Sequence, residues 1–450
     1  MIRSTQTTMY RLDNLNNEQQ RISYQMSTGK KLQDGSDDAN IYSREVYIDD
    51  KIRMYEGLKF QIEKTTAQNN SSDSTLADAK NLVSYTKTEV IKALNATTDD
   101  TARLAIATNL EGVKQNLYML ANEEVEGEYL FAGSDSSVQA FSMDETTGKV
   151  TYNGDALLRK VAVEDGEYRE RGANGFEAFF YSTSSAYKGD TLEFTENQRI
   201  VDQDGDEWKI ETSAEVTSGA LTFTSGQSVI DNNGTVWNIN GSGELVNDQG
   251  DIIASGDISG TGTESDPYSI NLPATTTSSS TISGFSTIQL VEYKPNGDAS
   301  GETLTISGNS TDNFTITVPN VDGTKFEAKE NIFDTMDSII NALKKLDSDG
   351  NPVEDDVARA ALQNGLDEIG EAYDGMNIAH GKLGGRNQVF EISLERISAK
   401  VTQYNILSQE VGAADLSKVA VEAKALELTY TALYSTINKM NELSLVNFVR

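Results

Sequence analysis

Apolar residues recur at alternating intervals of four and three along the C-terminal part of the chain. Leu362, Leu366, Ile369, Tyr373, Met376, His380, Leu383, Asn387, Phe390, Leu394, Ile397, Val401, Tyr404, Ser408 and Val411 hold one register. Gly412-Ala413-Ala414-Asp415 shifts the phase, and Leu416, Val419, Ala423, Leu426, Tyr430, Leu433, Ile437 and Met440 hold a second. A period of about 3.5 residues keeps one narrow stripe on one side of a helix, so the pattern predicts two long helices that each pack on a partner helix. The N-terminal part supplies candidate partners. Leu12, Leu15, Gln19, Ile22 and Met26 make a short seam that stops at Ser27-Thr28-Gly29-Lys30-Lys31, and Asp34-Gly35-Ser36-Asp37-Asp38 follows as turn and N-cap material. Ile41, Ile48, Tyr55, Ile62, Asn69, Leu76, Val83 and Val90 then lie on one heptad position, whereas Lys59, Asp73, Lys80 and Lys87 interrupt the companion positions. That is the pattern of a long helix with one strong edge packed in a bundle. Thr97-Thr98-Asp99-Asp100 ends it, and Ile106, Leu110, Val113, Leu117 and Leu120 mark a further helix.

The period changes in the middle of the chain. From about residue 136 to 325, Gly, Thr, Ser, Asn and Asp dominate, and short runs such as Leu221-Thr222-Phe223-Thr224 alternate with turn residues, which predicts β-strands. The segment contains a duplication. Leu192-Glu193-Phe194-Thr195, Asp202, Gly205, Trp208 and Ile210 return as Leu221-Thr222-Phe223-Thr224, Asp231, Gly234, Trp237 and Ile239, so that 190–210 and 219–239 are copies. Both tryptophans of the chain fall in this repeat and are expected to be matched core anchors of two hairpin units. After residue 326 the helical pattern returns, with Phe333, Met336, Ile340 and Leu343 ahead of a turn at Asp347–Pro352. The fold class expected is therefore α + β and multidomain: long terminal helices paired as a coiled coil or bundle, with an inserted all-β domain. The division expected is 1–33 with 413–450, 34–135 with 326–412, and 136–325.

Composition narrows the chemistry. A formal net charge of −33 over 450 residues disfavours nucleic acid and anionic membranes as partners, since both would repel it. Cysteine is absent, which excludes disulfides, thiolate metal sites and a cysteine nucleophile. No run is apolar enough for a membrane span, and residues 1–20 lack the core of a cleaved signal peptide, so any export is expected to use another route. The single histidine, His380, lies on the heptad seam, where a polar interruption that fixes register is the expected role, as for Asn69 and Asn387. No nucleotide-binding loop or nucleophile elbow is present, and the chain is not expected to be an enzyme or to need a cofactor. Asp202, Asp204 and Asp206 are the best candidate for a metal, namely calcium, although the glycine comes too early for an EF-hand loop and a solvated turn is the favoured reading. Gly381, Gly384 and Gly385 inside the seam-bearing helix suggest close approach of a neighbouring helix.

Several of these segments carry a resemblance. Met1-Ile2-Arg3-Ser4-Thr5, Tyr10, Leu12-Asp13-Asn14-Leu15, Ser27-Thr28-Gly29-Lys30-Lys31 and Ser36-Asp37-Asp38-Ala39 resemble the N-terminal signature of the flagellin superfamily. Leu383-Gly384-Gly385-Arg386-Asn387 and Ala414-Asp415 with Ala420 resemble its C-terminal region, and the apolar tail Leu443–Val449 fits too. Gly127-Glu128-Tyr129-Leu130-Phe131-Ala132-Gly133-Ser134 narrows it, with Tyr129, Leu130, Phe131 and Gly133 resembling the motif of the hook-associated protein 3 family of hook–filament junction proteins.

The resemblance covers residues 1–135 and 360–450 and implies an inner layer made from the two ends. The assembly interface would then be Leu12, Leu15, Ile22 and Met26 with Leu416, Val419, Leu426, Tyr430, Leu433, Ile437 and Met440. Gly29–Gly35 and Gly412–Asp415 would be hinges to an outer bundle. The implied role is structural: a ring on the extracellular flagellum, touching copies of itself, hook-associated protein 1 on the hook side and flagellin on the filament side. A flagellar export chaperone and the type III export apparatus would deliver it. A thin pair of terminal helices buries little apolar surface, so residues 1–33 and 413–450 are expected to be largely disordered until neighbours cover them. Two other readings stay open: flagellin itself, the bulk filament subunit, and a surface-binding or adhesion module in the β segment.

Overall fold

The computed structural model describes residues 2–448 apart from 96–97, 196–197, 225–226, 248, 264, 295–298, 308–313 and 349, and leaves the side chains of 2–5, 8, 255 and 440–448 undescribed. Helices α1 (Ile2–Thr28), α2 (Ala39–Ala93) and α3 (Asp100–Ala121) precede the β region, which contains the short helix α4 (Gly175–Phe179). Helices α5 (Ile332–Leu343), α6 (Asp355–Gly412) and α7 (Leu416–Phe448) follow it. The fold is α + β, with long terminal helices and an inserted antiparallel β domain.

The helix ends are where their capping residues put them. Asp38 Oδ1 accepts the N–H groups of Asn40 and Ile41 at 3.0 and 3.1 Å and starts α2. Asp99 accepts from Ala102 N–H at 2.8 Å and starts α3, and Asp415 accepts from Ser417 and Lys418 at 3.0 and 3.1 Å and starts α7. Of the break expected at 97–100, Thr97 lies outside the described residues.

The chain divides into two compact units, Met1–Lys64 with Ala162–Tyr168 and Phe390–Arg450, and Thr65–Val161 with Arg169–Val389. These bounds are not those of the three segments read from the sequence. In the first unit Ile48, Tyr55 and Ile62 of α2 and Phe390 and Ile397 of α6 are buried, and the Tyr55 and Tyr404 rings lie 5.5 Å apart. Lys400 stacks over Tyr55 at 5.1 Å and is ion-paired with Glu164, which Arg396 also reaches at 3.0 Å.

In the second unit the heptad edges of α2 and α6 become one core with α3 and α5. Leu76, Val83, Val90, Leu110, Leu117, Phe333, Met336, Leu362, Ile369, Met376 and Leu383 are all buried in it. Phe141, Tyr152, Phe176 and Phe179 of the middle segment are buried in this same core, so this part of the segment is not looped out from the helices. The polar seam residues tie helices together. His380 accepts from Lys80 Nζ on Nδ1 at 3.2 Å and donates Nε2–H to Asp73 Oδ1 at 2.8 Å, two α2 residues one heptad apart, and Asn387 Nδ2 donates to Asn70 Oδ1 at 2.7 Å.

The close approach expected at Gly381, Gly384 and Gly385 is not found: a Cβ at any of them would meet nothing within 4 Å. They sit on the side of α6 turned away from the core, off the buried seam of Leu383 and Phe390. Close approach occurs instead at Gly365, where a Cβ would stand 2.6 Å from the Ile339 side chain, and at Gly375, 3.2 Å from Tyr181 Cβ.

The duplication in the β region is structural. The strands Thr191–Phe194, Arg199–Asp202 and Glu207–Thr212 are matched by Gly219–Phe223, Val229–Asp231 and Val236–Ile239. Both copies join the nine-residue strand Phe285–Tyr293, the first through Glu207–Thr212 and the second through Val229–Asp231. Trp208 and Trp237 anchor two different cores, as matched anchors should. Trp208 packs with Leu290, Phe314 and Phe326, and Trp237 with Leu221, Phe223, Leu245, Ile270 and Phe285.

Candidate functional site

The terminal helices α1 and α7 pair with each other, so the segments expected to lack order are helical in the single chain. The strands leading out of them meet as well: Lys31 N–H donates to Gly412 C=O at 2.7 Å and Ala414 N–H to Gly29 C=O at 2.8 Å. Gly29, at φ +68°, makes the left-handed turn that ends α1. Arg21 Nη2 bridges Glu18 and Glu422 at 2.6 and 3.0 Å, and Tyr430 O–H donates to Asn16 Oδ1 at 2.6 Å.

Ile22 and Val419 are buried in this pair, and Leu12, Leu15, Leu426, Tyr430, Leu433 and Ile437 are half-buried. Two of the interface residues named from the heptads are turned outward: Met26 is 54% exposed and Leu416 53%. The reason for the first is that Gln25, one residue away, takes the inward position to donate its Nε2–H to Lys31 C=O at 2.6 Å. Leu416 is the first residue of its helix, with Asp415 as its cap, and lies ahead of the turn that Val419 buries. The Met440 side chain lies outside the described residues.

Heptad counting missed the second apolar side of the pair. Met9, Tyr10, Val421, Leu428 and Tyr434 are 55–70% exposed, and Val421 and Leu428 share a heptad position that was legible in the sequence. A groove of about 770 Å³ lined by Ile22, Met26, Leu426, Tyr430 and Tyr434 runs along the pair. Two helices alone cannot enclose stripes on both sides, so this surface is suited to further helices packing on it.

The Tyr129–Gly133 segment is built into the core of the second unit. Phe131 is fully buried, its ring edge-on to Phe179 at 5.3 Å, while Tyr129 and Leu130 are half-buried. Its carbonyl accepts from Gly175 N–H at 2.7 Å and Tyr152 O–H at 3.0 Å. Gly133 has φ +90°, and a Cβ there would stand 2.2 Å from Asp155 Oδ1, so only glycine fits. Glu128 gathers Gln68 Nε2 at 3.0 Å, Arg171 at 2.9 Å and Arg159. The motif is a joint between α2, α3 and the strands behind them, with no reactive group.

The three aspartates singled out for a metal are not brought together as a set. Asp202 and Asp206 lie within 4.8 Å of Glu292, a residue of the Phe285–Tyr293 strand that local sequence could not associate with them. Asp204 stands outside the group and accepts from Gln203 at 2.9 Å. Asp202 is committed to the hairpin: its Oδ1 accepts the Asp204 and Asp206 N–H groups at 2.9 and 3.0 Å, and its Oδ2 accepts Trp208 Nε1–H at 3.1 Å. Asp231 repeats the arrangement with Asn233, Thr235 and Trp237, so the aspartate is a turn-and-tryptophan clasp in both copies. Burial, then repulsion from Asp202, Glu292 and Asp204, raises the Asp206 carboxyl above its ordinary range.

A second acidic group has more electrostatic consequence. Burial, with Asp337 and Glu330 adding to it against the opposing pull of Lys149 and Lys114, pushes Asp334 up to about 6. Burial together with Glu330, Glu371 and Asp367 pushes Glu368 of α6 up to about 6.

Comparison with known proteins places the N-terminal helices first. Residues 3–136 match the bacterial flagellin N-terminal helical region. That part of the chain is flagellin-like. The chain is 28% identical over 172 residues to flagellar hook-associated protein 3 of Salmonella typhimurium, covering 38% of this chain and 52% of that protein. It is 29% identical over 184 residues to flagellar hook-associated protein 3 of Escherichia coli, covering 40% and 56%. The chain thus spans about half the length of the curated relatives it matches. Among solved structures it is similar to flagellar hook-associated protein 3 of Legionella pneumophila, at 17% identity and a TM-score of 0.44, with 81% of this chain and 98% of that one covered. It is also similar to FlgL of Xanthomonas campestris, at 15% identity and a TM-score of 0.42, with 78% and 98% covered. Among the described residues no helix is long and apolar enough to cross a membrane.

Proposed function

We propose that this chain is a structural protein of the bacterial flagellum that joins the hook to the filament. The observation that carries the reading is the flagellin-like N-terminal region, whose first helix pairs with α7 and leaves apolar stripes of the pair exposed in the single chain. The two curated relatives, both flagellar hook-associated protein 3, support the junction over the filament, as does the Tyr129–Gly133 segment.

The physical mechanism is completion of burial by assembly. Apolar surface stabilises at roughly 25 cal/mol per Å² once it leaves water. The α1–α7 pair withholds part of that gain until neighbouring subunits cover Met9, Tyr10, Val421 and Leu428. The lone pair is therefore helical but only marginally held, which limits premature polymerisation. In this reading 1–33 with 413–450 forms an inner assembly layer and 34–135 with 326–412 an outer bundle, while 136–325 packs its first part on the bundle and projects the rest as a β domain.

The partners are then further copies of the chain, hook-associated protein 1 on the hook side and flagellin on the filament side. A flagellar export chaperone covers the C-terminal helix, and the type III export apparatus carries the chain out. The protein is a structural component, not an enzyme, and its place is the extracellular flagellum at the hook–filament junction.

The match to the flagellin N-terminal region keeps the bulk filament subunit as the second reading. Immunogold electron microscopy of intact flagella with antibody against residues 136–325 separates the two. A single band of label where hook meets filament is expected. Label along the whole filament would make the chain a flagellin, and no flagellar label would remove both readings.

A further inference from the structure

Two adjacent side chains of α2 carry polar atoms that find no partner in the protein interior. Gln68 is 3% exposed and Asn69 1%. Among the described residues neither Gln68 Oε1 nor Asn69 Nδ2 meets a hydrogen-bonding group. Turning the amides over would not cure this. Gln68 gives its Nε2–H to Glu128 Oε2 at 3.0 Å, and Asn69 receives Gly172 N–H on Oδ1 at 3.0 Å. Reversing either amide would set oxygen against carboxylate, or N–H against N–H.

Gln68 and Asn69 line one small cavity of about 30 Å³, together with Ser72, Tyr129, Leu130 and Arg159 among others. The size and the chemistry of its wall select what it can hold. One orphan acceptor and one orphan donor call for a ligand that both donates and accepts. An anion would face the Gln68 oxygen, and a cation would face the Asn69 amide beside the arginines that Glu128 already engages. Any organic molecule exceeds the volume, whereas a water needs only about 10–15 Å³.

We infer that this cavity is a structural water site. One water, or two in contact, donates to Gln68 Oε1 and accepts from Asn69 Nδ2, where α2 faces the Tyr129–Gly133 segment. The site accounts for a polar residue at Asn69 on an edge that is otherwise apolar from Ile48 to Val90. An uncompensated buried donor or acceptor costs roughly 1–3 kcal/mol, so leaving both atoms dry would burden the joint on which the hairpin rests.

A crystal structure of the full chain at about 1.5 Å or better tests this. The expected result is a well-ordered solvent peak within hydrogen-bond distance of both Gln68 Oε1 and Asn69 Nδ2. The same crystals of Asn69→Leu are expected to lose the bridging peak. A dry cavity in the unaltered protein would overturn the site. So would Gln68 or Asn69 side chains turned so that these two atoms bond protein groups directly.

Discussion

At the residue scale, two contrasts separate side chains that hold the fold from lookalikes nearby. Asp231 serves two backbone N–H groups and the Trp237 indole, while Asp204 accepts only from its neighbour Gln203. Asp231→Ala leaves a buried indole N–H and two turn amides without an acceptor. It is expected to lower stability by roughly 1–3 kcal/mol in urea unfolding, with Asp204→Ala near zero. Equal effects would mean that the clasp is not what holds the hairpin. Glycines divide in the same way. Gly133→Ala combines positive φ with a Cβ 2.2 Å from Asp155 Oδ1 and is expected to cost about 2 kcal/mol or more. Gly384→Ala, in a helix with nothing within 4 Å, is expected to stabilise by up to about 1 kcal/mol. Thermal unfolding of the two variants side by side decides this.

At the element scale, the junction of α5 with α6 carries a pH dependence. Asp334 and Glu368 are held up near 6 in the folded chain, against ordinary values of 3.8 and 4.5. A raised carboxyl favours the folded state fully below its unfolded pKa, and that advantage is lost as pH rises through its folded pKa. Stability is therefore expected to fall between about pH 4 and 7 from these two groups, and the net charge of −33 acts in the same direction. Glu164, lowered by its bond to Lys400, and Asp355, lowered by Lys345 and Arg103, work the other way and lose their contribution only below about pH 4. The melting temperature is expected to be higher at pH 5 than at pH 7.5, with a smaller difference in Asp334→Asn. An unchanged difference in that variant would remove Asp334 from the account. On α7, Val421→Asp and Leu428→Asp alter side chains that are 70% and 64% exposed in the single chain. Monomer melting is expected to be unchanged while self-assembly, followed by sedimentation or electron microscopy, is lost. Assembly that survives both substitutions would place the contact surface elsewhere.

At the scale of the whole molecule, the same chain holds cores of different kinds. The heptad edges of α2 and α6 supply a core shared with α3, α5 and the aromatic residues Phe141, Tyr152, Phe176 and Phe179, while the second hairpin copy has its own around Trp237. Residues 3–136 carry the match to the flagellin N-terminal region, and the proposed junction role rests on them and on the curated relatives. The duplicated hairpins need no ligand to explain their aspartates, because the Asp–Trp clasp already uses them. A β region acting as a projecting spacer is consistent with that.

The sequence alone determined what depends on periodicity and local chemistry. The long helices followed from the 3.5-residue stripe, the start of the second from the cap material at Asp34–Asp38, and the duplicated hairpins from the constant spacing of Leu, Phe, Asp and Trp. These are near-neighbour effects, set within a few turns or one hairpin. Tertiary structure decided everything that depends on which distant side chain arrives. It brought Glu292, not Asp204, to Asp206, and turned Met26 outward because Gln25 found the Lys31 carbonyl. It freed Gly384 of neighbours while crowding Gly365 against Ile339. It also left Gln68 and Asn69 lining one small cavity. A heptad fixes which face of a helix is apolar, but only the packed partners fix which of those positions is covered, crowded or left polar in the dark.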